Sequence, residues 1–386
     1  IMSEFQASNF KKENGGTPNL LGKTELTSPY FFVPPSGDTA SRPVSCAPGT
    51  LRFNTDHGSL EVYRGDTIGW EHIERREGQY LGGGTGSNVG TGTRGVIFGG
   101  HVSSIVNTME FITISTLGDS QDFGDMTGVA SRGGALSSRT RGLRAGGQNP
   151  STINVIESIT IATTGDATNF GDLSYTPKFP APMANSTRGI WAGGYTPSNT
   201  DNIEYVTIAT EGNTVDFGNM SASRNRQSGC ASTTRGLMLG GASPGTFEEG
   251  MNHIDFITIQ STGNGTDFGD LSDEKYQNVA CSNATRGIIF GGRTQPDGTN
   301  NVIDFVTIAT LGNAIDFGDN TTTQTSAGVS SPTRAVKLGG RISPADFNII
   351  EYVEIATTGN AQDFGDLTTA CNNHSTGGAS SGHGGL

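Results

Sequence analysis

A Thr-Arg-Gly or Thr-Arg-Ala tripeptide recurs six times along the chain at intervals of 47 to 51 residues, and this period restricts the possible folds more than any other feature. Six residues after each arginine comes the second glycine of a Gly-Gly pair; an acidic residue follows, and a phenylalanine lies 13 residues beyond the acid. A fixed period of this length is typical of repeat proteins, whose copies bury their apolar faces against each other. The repeated residues are Arg94, Arg141, Arg188, Arg235, Arg286 and Arg334; Glu110, Glu157, Glu204, Asp255, Asp304 and Glu351; and Phe123, Phe170, Phe217, Phe268, Phe317 and Phe364.

Each copy contains the patterns of four β-strands. Apolar residues stand two and four positions after each repeated arginine, which is the alternation of a half-buried strand. The next segment, 203–210 in the third copy, is apolar on both faces, as in a strand between neighbouring sheets. A Gly-Asn or Gly-Asp pair then predicts a type II′ hairpin turn. The strand of the repeated phenylalanine follows, and a fourth strand precedes the next arginine. Gly and Pro, 58 and 15 of the 386 residues, argue against long helices, so we predict an all-β fold.

Four antiparallel strands per copy at this period predict the blades of a β-propeller. Residues 79–386 resemble kelch repeats in the Gly-Gly pair that ends the second strand and in the aromatic residue on the fourth. They differ in having phenylalanine where kelch repeats usually have tryptophan. The resemblance implies a propeller with six full four-stranded repeats.

The two ends of the chain offer two ways to close the ring. The C-terminal segment GGASSGHGGL is similar to GGALSSRTRGL at 133–143, the first strand of a repeat, and three candidate strands, 50–54, 59–63 and 69–73, precede the first copy. Joining these segments would form a seventh blade from both termini, an arrangement that leaves no strand unpaired and that we favour. The alternative is a six-bladed ring in which the C-terminal strand pairs with the blade of Arg94 and displaces the strand of Val89.

Charge and cysteine content argue against several function classes. The formal net charge is −13, from 24 basic and 37 acidic residues, which argues against a nucleic-acid partner. Four cysteines without a C-x-x-C pair indicate neither a disulfide framework nor a zinc site, and Cys230 and Cys281 stand at apolar strand positions where we expect inert, buried thiols. No apolar run has the length of a membrane helix, and the histidines lack metal-ligand spacing. We predict no cofactor, no metal and no membrane insertion.

No motif points to catalysis. Asp-Phe-Gly recurs with the structural period and without the other kinase motifs, so we interpret its phenylalanine as packing between blades and its aspartate as a turn residue. The repeated acid shares a strand face with apolar residues, and a buried carboxylate requires a partner. We therefore predict a ring of ion pairs between the six repeated arginines and the six repeated acids. The alternative is that both side chains reach solvent.

The segment before the repeats has a different character. Residues 1–45 predict an extended arm, with a flexible tail as the alternative, and residues 46–78 predict a β-hairpin module. The string GTLRFNTDHGSLEVYRGDTIGW at 49–70 resembles a β-hairpin module of fibre and tail-associated proteins of tailed bacteriophages, and the repeat is similar to kelch-like repeats of cyanophage virion proteins. The resemblance implies a virion component, oligomeric in the particle, whose arm binds other virion proteins.

Variation in repeat length is concentrated in one connection of each copy, between the Gly-Gly pair and the acid. In a four-stranded blade this connection shares a rim with the one that leads to the next blade, and loops on a rigid scaffold commonly carry binding. We expect that rim to present exposed aromatic rings for sugars or protein; the alternative is that the rings cover strand ends. The predicted function is non-enzymatic adhesion to a host-surface glycan or protein, with an architectural virion subunit and an extracellular glycan-active enzyme as alternatives. The rings are those of Tyr175, Tyr195, Phe247, Tyr276 and Phe347.

Overall fold

The computed structural model describes residues 34–43, 46–56, 59–66, 69–72, 93–101, 104–243, 249–294, 298–321, 327–342, 345–370 and 377–386. The chain divides into two compact units, residues 1–79 and 80–386. The described residues form strands and connections only, which confirms the all-β prediction. In this part of the chain no helix has the length and apolar character needed to cross a membrane.

The first unit contains one four-stranded sheet, in the order β1-β2-β3-β4. Strands β2 to β4 match the three strands predicted here and pair antiparallel, whereas β1 pairs with β2 in parallel. The arm predicted for residues 1–45 lies largely outside the described residues. The strands are β1 (Ser36–Gly37), β2 (Leu51–Asn54), β3 (Ser59–Tyr63) and β4 (Trp70–His72).

The second unit contains six antiparallel sheets, which we number 1 to 6 in the order of their repeated arginines. Each has four main strands and, in sheets 2 to 6, the strands follow each other in sequence. Sheet 1 holds β5 (Arg94–His101), β6 (Ile105–Thr113) and β7 (Gln121–Asp125); sheet 2 holds β8 (Gly134–Ser137), β9 (Arg141–Ala145), β12 (Val155–Thr160) and β13 (Thr168–Asp172), with the short pair β10 (Gln148–Asn149) and β11 (Ser151–Thr152) beside it. Sheet 3 holds β14 (Ala181–Ala184), β15 (Arg188–Ala192), β16 (Tyr195–Thr196), β17 (Ser198–Thr207) and β18 (Val215–Arg224); sheet 4 holds β19 (Ser228–Ala231), β20 (Arg235–Leu239), β21 (Met251–Thr258) and β22 (Thr266–Lys275). Sheet 5 holds β23 (Val279–Ser282), β24 (Arg286–Thr294), β25 (Gly298–Thr307) and β26 (Ile315–Asp319); sheet 6 holds β27 (Ala327–Ser330), β28 (Arg334–Ile342), β29 (Ala345–Glu354) and β30 (Gln362–Asp366).

The C-terminal strand β31 (Ala379–Ser380) completes sheet 1 by pairing with β5, Ala379 opposite Val96. This is the strand pairing of the six-bladed alternative. The seventh four-stranded sheet exists, but it consists of N-terminal strands alone, so the prediction that both termini build one closing blade is wrong. The physical reason is that Ala379 and Ser380 become fully buried between Val96 and the first strands of neighbouring sheets. The strand predicted around Val89 lies outside the described residues.

The six sheets contact each other in a closed cycle, arranged like propeller blades. Six apolar clusters each combine residues of two adjacent sheets, and one of them joins sheet 6 to sheet 1 through Phe364 and Ile114. The repeated phenylalanines are 2 to 3% exposed, which confirms their predicted place between sheets. Cys230 and Cys281 are buried as predicted, and burial raises the pKa of the Cys230 thiol to about 12.

The Gly-Asn pairs do not form the predicted type II′ turns. Residues 114–120 separate β6 from β7, too many for a two-residue hairpin loop. The φ of Gly118 is 145°, whereas the first central residue of such a turn requires about 60°. Gly118 instead lies against sheet 6: its N–H donates to the Phe364 carbonyl oxygen at 2.8 Å, and a Cβ on Gly365 would lie 2.5 Å from the Gly118 oxygen. The same contact recurs between every adjacent pair of sheets.

Candidate functional site

The two ends of the strands form surfaces of different kinds in the second unit. We call the end with the connections from second to third strand and from one sheet to the next the loop face, and the opposite end the turn face. On the loop face the connection from second to third strand extends as a hairpin beyond the Gly-Gly pair. In sheets 1, 5 and 6 a β-bulge at the Gly-Gly pair shifts the register of the two strands. These hairpins differ in length, as the sequence spacing predicts.

The turn face is built from one set of bonds repeated in every copy. Arg94 Nη1 donates to the carbonyl oxygens of Ile161 and Ala162 in sheet 2, at 3.3 and 3.0 Å, and its guanidinium lies 4.6 Å from the ring centre of Phe111. The other five repeated arginines bind the next sheet in the same way, and Arg334 closes the cycle on sheet 1. This face therefore uses its side chains to hold sheets together.

The predicted ion pairs between repeated arginines and repeated acids are wrong. Arg94 begins the second strand opposite Thr113, whereas Glu110 lies opposite Ile97. Three residues along a strand correspond to about 10 Å, too far for a salt bridge. The arginines therefore belong to the turn face, and the acids lie nearer the loop face.

Each repeated acid binds the preceding sheet, five of them through hydrogen bonds from a hydroxyl residue and Asp304 through Lys275. Glu157 accepts hydrogen bonds from the backbone N–H of Thr127, at 2.7 Å, and from the Thr127 hydroxyl. The hydroxyl residue stands four positions after the repeated phenylalanine of the preceding copy. The same arrangement joins Ser174 to Glu204, Ser221 to Asp255, Thr321 to Glu351 and Thr368 to Glu110.

A buried cation completes four of these carboxylate sites and comes from two alternative positions. In sheets 2 and 6 it stands three residues after the repeated arginine on the neighbouring strand; in sheets 4 and 5 it comes from the end of the preceding sheet. Burial lowers the pKa of Arg144 to about 10. The pairs are Arg144–Glu157 at 3.9 Å, Arg224–Asp255 at 3.0 Å, Lys275–Asp304 at 2.6 Å, and Lys337–Glu351.

Glu110 and Glu204 have no ion-pair partner among the described residues and receive an additional hydroxyl instead. Ser120 and Thr214, each ten residues after the acid, donate to Glu110 and to Glu204, the latter at 2.6 Å. In the four sheets with a cation the same position has no hydroxyl, being Ala167, Gly265, Ala314 and Ala361. Each carboxylate is thus neutralised by a cation or solvated by an extra hydroxyl, as burial of a charge requires.

The aromatic residues predicted for the loop face are less exposed than expected. Tyr276 is 1% exposed, so its predicted role as an exposed surface is wrong. Tyr175 is half-buried against the cluster between sheets 2 and 3, its hydroxyl donates to the Gly193 carbonyl oxygen at 2.9 Å, and burial raises its pKa. Tyr195 and Phe347 are half-buried, and Phe247 lies outside the described residues. Tyr175 and Tyr276 follow the last strands of sheets 2 and 4, whereas Tyr195 lies in β16 and Phe347 in β29.

Four residues with left-handed backbone conformation lie where the chain enters the first strand of a sheet. Arg132, Phe179, Arg226 and Gln277 have φ of 56 to 65° and stand nine residues before the repeated arginines of sheets 2 to 5. The Phe179 N–H donates to the Arg132 carbonyl oxygen at 2.7 Å, and the Gln277 N–H to that of Arg226 at 2.9 Å. Such a conformation is costly for residues other than glycine, and such strain clusters at binding sites. The periodic pattern contains no signal for it.

Three cations in this region lie against two aromatic rings, those of Phe179 and Tyr195. The guanidinium carbons of Arg132 and Arg226 lie 5.4 and 5.2 Å from the ring centre of the buried Phe179, and Lys178 Nζ lies 4.9 Å from that of Tyr195. Burial lowers the pKa of Lys178, and the charges of Arg132 and Arg226 lower it further. Arg132, Lys178, Arg226 and Gln277 precede the first strands of sheets 2 to 5, and these first strands surround the axis of the cycle. We call the four residues the basic mouth.

On the turn face the C-terminal residues close the axis. Gly378 N–H donates to the Gly328 carbonyl oxygen at 3.0 Å, Ser380 N–H to the Ser137 hydroxyl at 2.8 Å, and Gly384 N–H to the Ser282 carbonyl oxygen at 2.8 Å. A cavity of about 50 Å³ lies between the first strands of the sheets and the C-terminal residues, including His383. The tail thus contacts sheets 2, 5 and 6 directly.

The imidazole of His383 predicts a pH-dependent stability. Gly385 N–H donates to Nδ1 at 3.1 Å, so Nε2 carries the proton toward the Ser137 carbonyl oxygen, 2.6 Å away. Removal from water, with a smaller contribution from Arg139, lowers the pKa of His383 to about 4. Above the unfolded-state pKa of about 6.5 the stabilisation is complete, and it is lost as pH falls toward 4, by about 1–3 kcal/mol in all.

Urea unfolding at pH 7.5 and pH 5 measures this effect. His383→Gln is the control, because the amide keeps a donor and an acceptor but does not titrate. We expect the stability advantage of the native chain over the variant to shrink on acidification. A pH-independent difference would contradict the assignment.

Comparison with known proteins adds no identity: no protein-family model matches the chain, and no curated protein is significantly similar to it in sequence. Among the described residues no three His, Cys, Asp or Glu side chains are grouped so as to hold a metal ion. The basic mouth and the loop-face hairpins around it are therefore the candidate site.

Proposed function

We propose that this protein is a non-enzymatic structural component of a tailed-phage virion whose loop face adheres to a glycan on the host surface. In this proposal the six sheets are the blades of a closed, kelch-like six-bladed propeller, and the N-terminal segment binds other virion proteins. The phage assignment rests on the resemblance of residues 49–70 and of the repeat. The oligomeric state in the particle rests on it as well.

The observation that carries the adhesive role is the difference between the two faces. On the turn face, the arginines and Gly-Asn pairs of all six copies are engaged in bonds between sheets. On the loop face, hairpins of unequal length project from an otherwise regular scaffold, and strained residues collect cations near the axis. A scaffold that is regular on one side and diverse on the other is typical of binding proteins.

An architectural role is the second candidate, favoured by the exposed apolar residues of the turn face. Leu117, Val215, Leu311 and Ile315 are 57 to 60% exposed, and all lie at the connection from third to fourth strand. Apolar residues displayed at equivalent points of several sheets suit contact with a neighbouring protein. In that case the particle would use the turn face for assembly.

Binding of the labelled full chain to cyanobacterial cells tests the adhesive proposal. We expect binding to be lost when the connection 242–253 is replaced by the shorter equivalent 195–202 of sheet 3. The matched control replaces turn-face residues 308–314 with 208–214 and leaves binding unchanged. No binding by the native chain, together with normal incorporation into particles, would contradict adhesion and leave the architectural role.

A further inference from the structure

We propose that the basic mouth binds the carboxylate or sulfate groups of an acidic polysaccharide. This inference rests on the proposed adhesive function and names its ligand class. It is carried by three half-buried cations brought together by a strained backbone in a protein whose net charge is −13.

The first argument is the charge at the site. The positive charges of Arg132 and Arg226 both act on Lys178 and disfavour its protonated form. Like charges held together on a scaffold repel each other, and an oxyanion between them removes that cost while accepting charge-assisted hydrogen bonds. A guanidinium has five N–H donors, and Arg132 uses Nη1 to donate a hydrogen bond to Gln148 Oε1 at 2.9 Å.

The second argument is the rigidity of the site. Arg132, Phe179, Arg226 and Gln277 share one backbone conformation in four successive sheets, and inter-sheet hydrogen bonds fix it. The ring of Phe179 is 2% exposed and lies between two guanidinium groups, which restricts the arginine side chains as well. Preorganised cations lose little entropy when a ligand binds. Backbone strain of this kind is typical of ligand-binding sites.

The third argument favours a carbohydrate over a protein. Of the large apolar side chains most exposed in the described part of the second unit, Val129 alone lies on the loop face. The core of a protein interface requires apolar and aromatic area, and the described residues of this face expose little of it. Its partly exposed side chains include Gln148, Asn199 and Thr196, whose amides and hydroxyl suit the hydroxyl groups of sugars.

The test measures binding of the full chain to a sulfated galactan, to polygalacturonate, to neutral dextran and to polyglutamate. The variant is Arg132→Gln/Arg226→Gln. Glutamine is chosen because Gln277 already occupies the equivalent position of sheet 5 with φ of 56°. The control is Arg139→Gln, which removes one positive charge at an exposed turn-face site. Melting temperatures of both variants verify folding.

We expect the native chain to bind one or both acidic polysaccharides and not dextran, with weaker binding at higher salt. The double variant should lose at least about tenfold in affinity, since one charge-assisted hydrogen bond is worth about 1.5–3 kcal/mol. Arg139→Gln should leave affinity unchanged.

If native chain and double variant bind an acidic polysaccharide equally well, the inference is overturned while the adhesive proposal stands. Binding to polyglutamate that exceeds binding to both acidic polysaccharides would overturn the carbohydrate assignment. Failure to bind any polymer, with cell binding retained and sensitive to the 242–253 exchange, would also overturn it. Failure to bind cells at all would remove the proposed function itself.

Discussion

Removal of residues 377–386 should lower the melting temperature of the second unit by about 10 °C or more. These residues supply the innermost strand of sheet 1, the single strand there that comes from the far end of the chain. Its loss uncovers Val96 and breaks at least four hydrogen bonds, to Ser137, Ser282, Gly328 and Ser330. At about 1 kcal/mol for each bond, with the lost apolar contact added, the cost is about 5 kcal/mol or more.

Differential scanning calorimetry of the truncated chain measures the effect, and a synthetic peptide of residues 372–386 added in trans should restore part of it. Removal of Leu386 alone is the control. Gly384→Ala keeps every strand residue but places a Cβ 2.1 Å from the Asn283 carbonyl oxygen, so it should give a smaller loss in the same direction. An unchanged melting temperature in both the truncated chain and Gly384→Ala would show that the tail does not hold the cycle closed.

The strands and their packing were predictable because they depend on local periodicity. A repeated phenylalanine in a fixed register must face the neighbouring copy, and a cysteine such as Cys230 at an apolar position is buried for the same reason. Closure was not predictable, because the C-terminal segment matches the first strand of any copy. Only the space beside Val96, buried between sheets 1 and 2, selects its partner.

The partners of charged residues were not predictable from spacing. The partners of Arg94 are backbone carbonyl oxygens 67 and 68 residues away. Because every residue has a backbone carbonyl, the sequence does not indicate which one an arginine binds. The strained residues of the basic mouth share a position but differ in type, so no motif marks them. One signal for the buried ion pairs was available in the sequence. In the two copies with lysine or arginine three residues after the repeated arginine, the residue ten positions after the acid has no hydroxyl, as Lys337 and Ala361 show.

Lys337→Met should destabilise the second unit by about 3–5 kcal/mol, because it leaves a buried carboxylate without its cation. Lys337 and Glu351 are both fully buried and form an ion pair, and methionine occupies the equivalent position of sheet 4 as Met238. Burial opposes ionisation of Glu351, but Lys337 and Thr321 outweigh it and hold the pKa of Glu351 below its usual value. Loss of the lysine raises that pKa, so the deficit of the variant should shrink as pH falls through the range of an ordinary glutamate.

A second substitution makes the cause of this loss distinguishable from loss of packing. In sheet 3 the Thr214 hydroxyl binds the buried Glu204, which has no cation partner in the described part of the chain, and Ala361 is the residue of sheet 6 equivalent to Thr214. Lys337→Met/Ala361→Thr should therefore recover about 1 kcal/mol or more relative to Lys337→Met, whereas Ala361→Thr alone should be neutral or destabilising, since Lys337 already neutralises the acid. Urea unfolding of the four chains gives the coupling free energy. Additive effects would mean that cation and hydroxyl do not substitute for each other, and favourable coupling would establish that this fold solvates its buried acids in two interchangeable ways.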